Sequence, residues 1–472
     1  MALCSAVGCQ TTAPVPFDLS PPTSAQRPEV LDCPVGTARI PASDAVAEGF
    51  QRLPKIVTVA YDEPVETGVL PVPPESAEDV SPGELSLETF EQIALAQSPA
   101  VSQAAAEVQA AYGNWIQVGL PPNPHVGYSG QQLGSRGLAE QQGVFLGQEI
   151  VLGRKLWLNR NVAVWEWQQA ERQLTVQQFR VLTDVRIAYC EVVIAQRRVE
   201  LAEQLVDVGE QAAAAAKSLF DAKEVSEADP LRARIEADSA RIVLGNARNQ
   251  YQGAWRTLVA AAGAPDMLPV RLPDDLQPEL VEGEWETLLA QLLAESPEMA
   301  ARQARVESAH WAVHRAMVEP IPDLDVQAVI QHDNATQSSN GNLQVSVPVP
   351  LWNRNQGRIQ EARAQLTAAH LGVDRLALDL QTRFADAYQR YENARQQTER
   401  YTAPQGILDN ARRTMDLIRT GYQAGEFSVL DLLTAQRTFF QTNLAYLDSL
   451  RELWVTSMEI RGMLLRGSLA QQ

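Results

Sequence analysis

Few residues in this 472-residue chain are of a type and spacing that could do chemistry. His310 and His314 stand four apart, which puts two imidazoles on one helical face, where they could hold a transition metal. No third ligand is evident at the same spacing, so two exposed or inter-helix histidines are the plainer reading. No metal and no cofactor is assigned. His332-Asp333 is expected in a solvated external loop. The cysteines are Cys4, Cys9, Cys33 and Cys190, and none forms a CxxC pair, so neither zinc nor thioredoxin-like chemistry is indicated. Cys190 lies in a helical pattern as a small buried residue. Cys9 follows Ala6-Val7-Gly8, the small-residue approach that bacterial lipoprotein signals place before a lipidated cysteine. Only eight residues precede it, without a basic start or an apolar run, so residues 1–9 are either a clipped lipoprotein signal or a chance match. There is no Walker lysine loop, GxSxG, HExxH or dinucleotide fingerprint, and no enzyme is expected.

Composition narrows the field further. Lysine plus arginine is 39 against 58 aspartate plus glutamate, a net charge of −19, which argues against nucleic acid as a partner. Aromatic residues make up only 6%, while alanine, glutamine and leucine recur, as in long helices. No run of about 18 apolar residues occurs, so entry into a bilayer would need β-strands or a lipid.

The elements that would position these residues are duplicated. A proline-rich, acidic arm spans 10–83 and cannot bury a core of its own. From there Ala94-Leu95-Ala96-Gln97-Ser98-Pro99 is echoed by Leu292-Leu293-Ala294-Glu295-Ser296-Pro297, a shift of 198 that drifts to 202 by Asp229 and Asp431. Two halves result, 84–270 and 285–467, with a linker over 271–284 and a tail over 468–472. Each half reads as a helical segment (85–119; 285–318), a proline-rich stop and two alternating strands. Those strands are expected at about 125–133 and 142–151, then 323–331 and 342–350. Two long helical runs complete each half, 154–221 with 226–262 and 354–422 with 428–466, and Pro404 should break or kink the third. A helix over 154–221 would span about 100 Å at 1.5 Å per residue.

The strands carry one apolar and one polar face. Val326, Ile330, Val345 and Val347 alternate with Asp325, Gln327 and Gln344. Four such strands are too few to close a membrane barrel, which starts at about 8, so a barrel requires partner chains. The alternative is a soluble β-cap on a helical bundle.

Several motifs in order resemble the TolC family of outer-membrane efflux channels. Val347-Pro348-Val349-Pro350-Leu351-Trp352-Asn353-Arg354 is similar to its strand-to-helix junction, with Gly153-Arg154-Lys155 as the first-half counterpart. Tyr422-Gln423-Ala424-Gly425-Glu426-Phe427-Ser428-Val429-Leu430-Asp431-Leu432-Leu433 is similar to its periplasmic helical turn. The arm, Cys9 as a lipid attachment and the Leu-Trp-Asn-Arg junction look most like the heavy-metal cation efflux branch. The resemblance implies a mostly α fold with a small β part: a homotrimer whose 12-stranded barrel in the outer membrane continues into a periplasmic helical barrel. It also implies a passive exit duct for metal cations or drugs, partnered by a periplasmic adaptor, an inner-membrane pump and outer-membrane lipid. Tyr422, Gly425, Phe427, Ser428 and Leu430 would form the adaptor-docking turn. Asp431 matches the first of two aspartates that ring the closed entrance in the family's best-known member, with Glu426, Asp229 and Glu224 as further gate residues. Thr434 stands where the second aspartate would be, and Phe427 replaces an arginine, which implies a looser gate. An ordinary helix-start aspartate explains Asp431 equally well. The rivals are a periplasmic coiled-coil adaptor without a pore and a channel for protein or peptide secretion.

Overall fold

Proline sets the first break in each half. In the computed structural model, which describes residues 85–134, 140–273 and 280–469, α1 (Leu87–Gln97) and α2 (Pro99–Gln117) are separated by extended Ser98. α5 (Trp285–Glu295) and α6 (Pro297–Val318) repeat that break at Ser296. The single helical segments expected over 85–119 and 285–318 are therefore two helices each. Pro99 and Pro297 cannot donate to a preceding turn but suit the first position of a new helix. Cys4, Cys9, Cys33 and the arm over 10–83 lie outside the described residues.

Four strands follow in two hairpins, β1 (His125–Gln131), β2 (Gln141–Ile150), β3 (Leu324–Asp333) and β4 (Ser338–Ser346). They form one antiparallel sheet in that order, and β2 pairs β3 from Gln141↔Asp333 to Ile150↔Leu324, so the halves are joined through the sheet. The second hairpin corrects the expected loop placement of His332-Asp333 and the expected strand over 342–350. Asp333 Oδ1 accepts from the Ala335 amide at 2.8 Å, which tightens the turn to Asn334–Gln337 and keeps His332 and Asp333 in β3. At the other end Pro348 and Pro350 cannot donate to a ladder, so β4 stops at Ser346 and leaves Val347 and Val349 outside it.

The long helices are α3 (Lys155–Asp221), α4 (Ala228–Ala261), α7 (Gln356–Thr402), α8 (Ile407–Gln423) and α9 (Val429–Arg461). α3 has 67 residues and is about 100 Å long. At Pro404 the chain leaves α7 with Ala403 extended and Gln405 at φ 59° before α8 begins. The two helical hairpins are built from different sizes of residue. Ala202, Gly209 and Ala216 of α3 face a matching series on α4, Ala233, Ala240 and Ala247, each at intervals of seven and all buried. A Cβ added at Gly209 would lie 3.3 Å from the Ala237 Cα, so the helices approach closely there. On α9 the same spacing carries Leu433, Phe440, Leu447 and Trp454.

Midway along the helices the main core gathers α1, α3, α4 and α9. Phe90 meets Tyr189 and Trp255 edge-on at ring centroids 5.9 and 6.2 Å apart, and the Trp255 indole donates to the Met267 carbonyl at 3.0 Å. Burying each such ring contributes roughly 1.5–3 kcal/mol. In the second half Trp285 stacks on Phe384 at 4.7 Å. Nearer the sheet, Glu298 of α6 accepts from Arg180 of α3 at 3.1 Å and from Arg383 of α7 at 2.8 Å, holding three neighbouring helices together.

Candidate functional site

The sheet gathers most of its apolar residues on one face and most of its polar residues on the other. Directly paired residues share a face, so the register places Val126, Tyr128, Val144, Leu146, Val326, Ile330, Leu343 and Val345 together. Nothing covers this face among the described residues: Val126 is 75% exposed and Leu343 is 72% exposed. The other face carries Ser129, Gln131, Asp325, Gln327, Gln331, Asn342 and Gln344, with Phe145 folded over Gly127. Val326 pairs Val345 on the apolar side and Gln327 pairs Gln344 on the polar side. Among the described residues β1 and β4 are open edges, each a row of unpaired backbone groups.

Where the sheet meets the helices, two left-handed residues re-aim the chain: Arg154 at φ 57° caps α3 and Asn355 at φ 60° caps α7. Buried Lys155 donates to Asp323 Oδ2 at 2.8 Å, and the Leu152 amide donates to Asp323 Oδ1 at 2.9 Å. The exit of β2 is thus bonded to the entrance of β3. Trp352 beside this junction is 87% exposed, and Trp157 meets Trp311 edge-on at 5.4 Å. Sequence reasoning named Lys155 but had no signal for a partner more than 150 residues away.

At the far end of the helices the two turns share most of their bonds at equivalent positions, with a capping box in the second alone. In the first, Lys223 sits at φ 62°, the Glu224 amide donates to the Leu219 carbonyl at 2.9 Å, and the Ser226 amide and hydroxyl donate to Asp229 Oδ2. In the second, Gly425 sits at φ 80°, the Glu426 amide donates to the Gly421 carbonyl at 2.8 Å, and Ser428 donates to Asp431 Oδ2 from its amide at 3.0 Å and its hydroxyl at 2.6 Å. The Asp431 amide returns a bond to the Ser428 hydroxyl, closing a capping box. The Ser428 hydroxyl and then its amide hold the Asp431 carboxyl below its usual range. Among the described residues, neither aspartate is bonded to the other, to Glu224 or to Glu426.

The turns nonetheless share an environment. Ala212 of α3 packs with Val429, Leu432 and Leu433 of α9, and Tyr422 closes that cluster. The Tyr422 hydroxyl is buried with no hydrogen-bond partner among the described residues. Burial, and then the charge of Asp229, push it above the usual tyrosine range. Asp229 and Tyr422 are therefore brought together, which sequence reasoning missed because it assigned them to separate roles. Phe427 leans over Gly421, while Leu430 is exposed.

Outside these regions, His310 and His314 lie exposed on α6 with their Nε2 atoms 3.3 Å apart. Cys190 is buried against Met458, its thiol 3.4 Å from the Met458 sulfur. No described helix is long and apolar enough to cross a membrane.

Known proteins share this arrangement. The cobalt-zinc-cadmium resistance protein CzcC of Cupriavidus metallidurans is 28% identical over 411 residues, spanning 85% of this chain and 94% of that one. The nickel and cobalt resistance protein CnrC of the same organism is 24% identical over 292 residues, 61% of this chain and 69% of that one. A crystal structure of CusC, described as forming a transmembrane channel, superimposes with a TM-score of 0.69 at 18% identity, covering 81% of this chain and 92% of that one. The model of the outer membrane efflux protein family matches residues 91–264 and 288–464, one match for each helix–hairpin–helix half. The exposed apolar sheet, the long helical hairpins and their duplication thus find a common explanation: the chain belongs to the outer membrane efflux protein family.

Proposed function

We propose that three copies of this outer-membrane efflux channel close their sheets edge to edge into a 12-stranded barrel, with the helices continuing as a periplasmic tunnel. The observation that carries this is the sheet itself, whose apolar face is bare and whose β1 and β4 edges are open. A sheet of that kind is unstable in water and unsatisfied in lipid until its edges are paired. The polar face then lines the duct. Its cargo would be divalent metal cations, as the names of CzcC and CnrC suggest. A periplasmic adaptor would dock on Tyr422, Gly425, Phe427, Ser428 and Leu430, and an inner-membrane pump would supply the energy. Asp431, Asp229, Glu224 and Glu426 would set the charge of the entrance, and Cys9 would carry a lipid anchor. Native mass spectrometry from detergent tests the assembly: a trimer is expected, and a stable monomer that keeps its strands would overturn it.

A further inference from the structure

One pair of metal-ligating side chains stands apart from the sheet and the turns. His310 and His314 occupy consecutive turns of α6, and their Nε2 atoms are 3.3 Å apart. In a tetrahedral zinc centre with Zn–N bonds of about 2.0–2.1 Å, two nitrogens lie roughly 3.3–3.4 Å from each other, about 1.6 times the bond length. The pair already has the bite of a two-toothed chelate. Trp311 neighbours both rings, its centroid 6.4 Å from the His310 ring and 5.9 Å from the His314 ring, and it meets Trp157 of α3 edge-on.

The missing ligands define the class of ion. Among the described residues, no group of three or more His, Cys, Asp or Glu side chains is placed to hold a metal. Two imidazoles with no hard oxygen ligand suit Zn²⁺, Ni²⁺, Co²⁺ or Cu²⁺ rather than Mg²⁺ or Ca²⁺. Both histidines are exposed, so water can fill the remaining coordination positions. A centre with two protein ligands also releases its ion more readily than a closed four-ligand one. We infer that His310 and His314 form an exchangeable transition-metal site on α6, one per chain. The inference goes beyond the conduction proposal, because it needs only a folded α6 and holds whatever cargo passes.

Tag-free, chelator-treated full-length protein in detergent would be titrated calorimetrically with Zn²⁺ and with Ni²⁺. Excess Mg²⁺ would occupy carboxylates on the acidic surface. One saturable site per chain is expected. His310→Gln and His314→Gln should each weaken it by at least about tenfold, since one imidazole is not a chelate, and the double variant should abolish it. X-ray absorption of the loaded protein should count two imidazoles on the metal. Both substitutions replace exposed side chains, and an unchanged native mass spectrum would verify assembly. The absence of a saturable site would overturn the inference and leave an N–H···N bond between the rings. A site that survives both substitutions would overturn it equally, as adventitious binding elsewhere.

Discussion

Asp431 accepts the Ser428 hydroxyl and amide at the first turn of α9, and this bonding keeps it ionised below the usual carboxylate range. A carboxyl whose folded-state pKa is depressed stabilises the fold fully above its unfolded value of about 3.9 and loses that contribution as pH falls through the lower folded value. The capping box should therefore be intact at neutral pH and fail only in strong acid. Asp431→Asn at pH 7 should expose the first α9 turn to faster hydrogen exchange than wild type, as acidification does to wild type. The same carboxylate separates a cap from a gate. In planar bilayers, Asp431→Ala should reduce cation selectivity and block by divalent ions from the periplasmic side, whereas unchanged selectivity would leave it a cap alone. Ser428 and Asp431 lie three apart, so the capping pattern is visible in the sequence. The buried Tyr422 hydroxyl in the field of Asp229 is not, because the two lie 193 residues apart, Tyr422 on α8 and Asp229 on α4.

The two helical turns differ at their left-handed position. Gly425 takes the left-handed conformation without a Cβ penalty, whereas Lys223 takes it with a full side chain. For a residue other than glycine that conformation costs roughly 1–2 kcal/mol. Lys223→Gly should accordingly stabilise the α3–α4 turn by about 1 kcal/mol, less whatever glycine adds in unfolded freedom. Slower exchange of the amides flanking 223 would register the gain, and Gly425→Ala should speed exchange in the partner turn. Elements of this kind were largely legible: β3 follows from the alternation of Leu324, Val326, Ala328 and Ile330, and the break after α7 from Pro404. β4 was displaced by four residues because Ser338, Ser339 and Asn340 carry no apolar signal and pair only through their backbone. The breaks at Ser98 and Ser296 were hidden for a different reason, since the helical periodicity continues on both sides of each proline.

Across the whole molecule, the sheet is where sequence and environment meet. Its bare apolar face needs hydrocarbon, so Val345→Arg, opposite Val326 and next to last in β4, should cost about 2–4 kcal/mol if that point lies at the bilayer midplane and about 0–1 kcal/mol if it lies near an interface. Urea titration of protein folded into liposomes would measure it, and Gln344→Arg on the polar face should be tolerated. Alternation made the two faces legible, but the partner of each edge was not, because no pattern within one chain states what lies beyond it. One consequence follows from the β2–β3 pairing. That seam joins the two repeats by ten residue pairs within a single polypeptide, and in a closed ring it is equivalent to the seam between β4 and the next copy's β1. A ring built from separate halves would bring together six bodies in five encounters; three copies of this chain need two. Its assembly therefore depends on the third power of protein concentration rather than the sixth, so a dilute periplasm still favours the finished ring. In the proposed ring the fusion would also let alternate helical turns differ, Lys223 in one and Gly425 in the next, which reduces a sixfold arrangement to a threefold one.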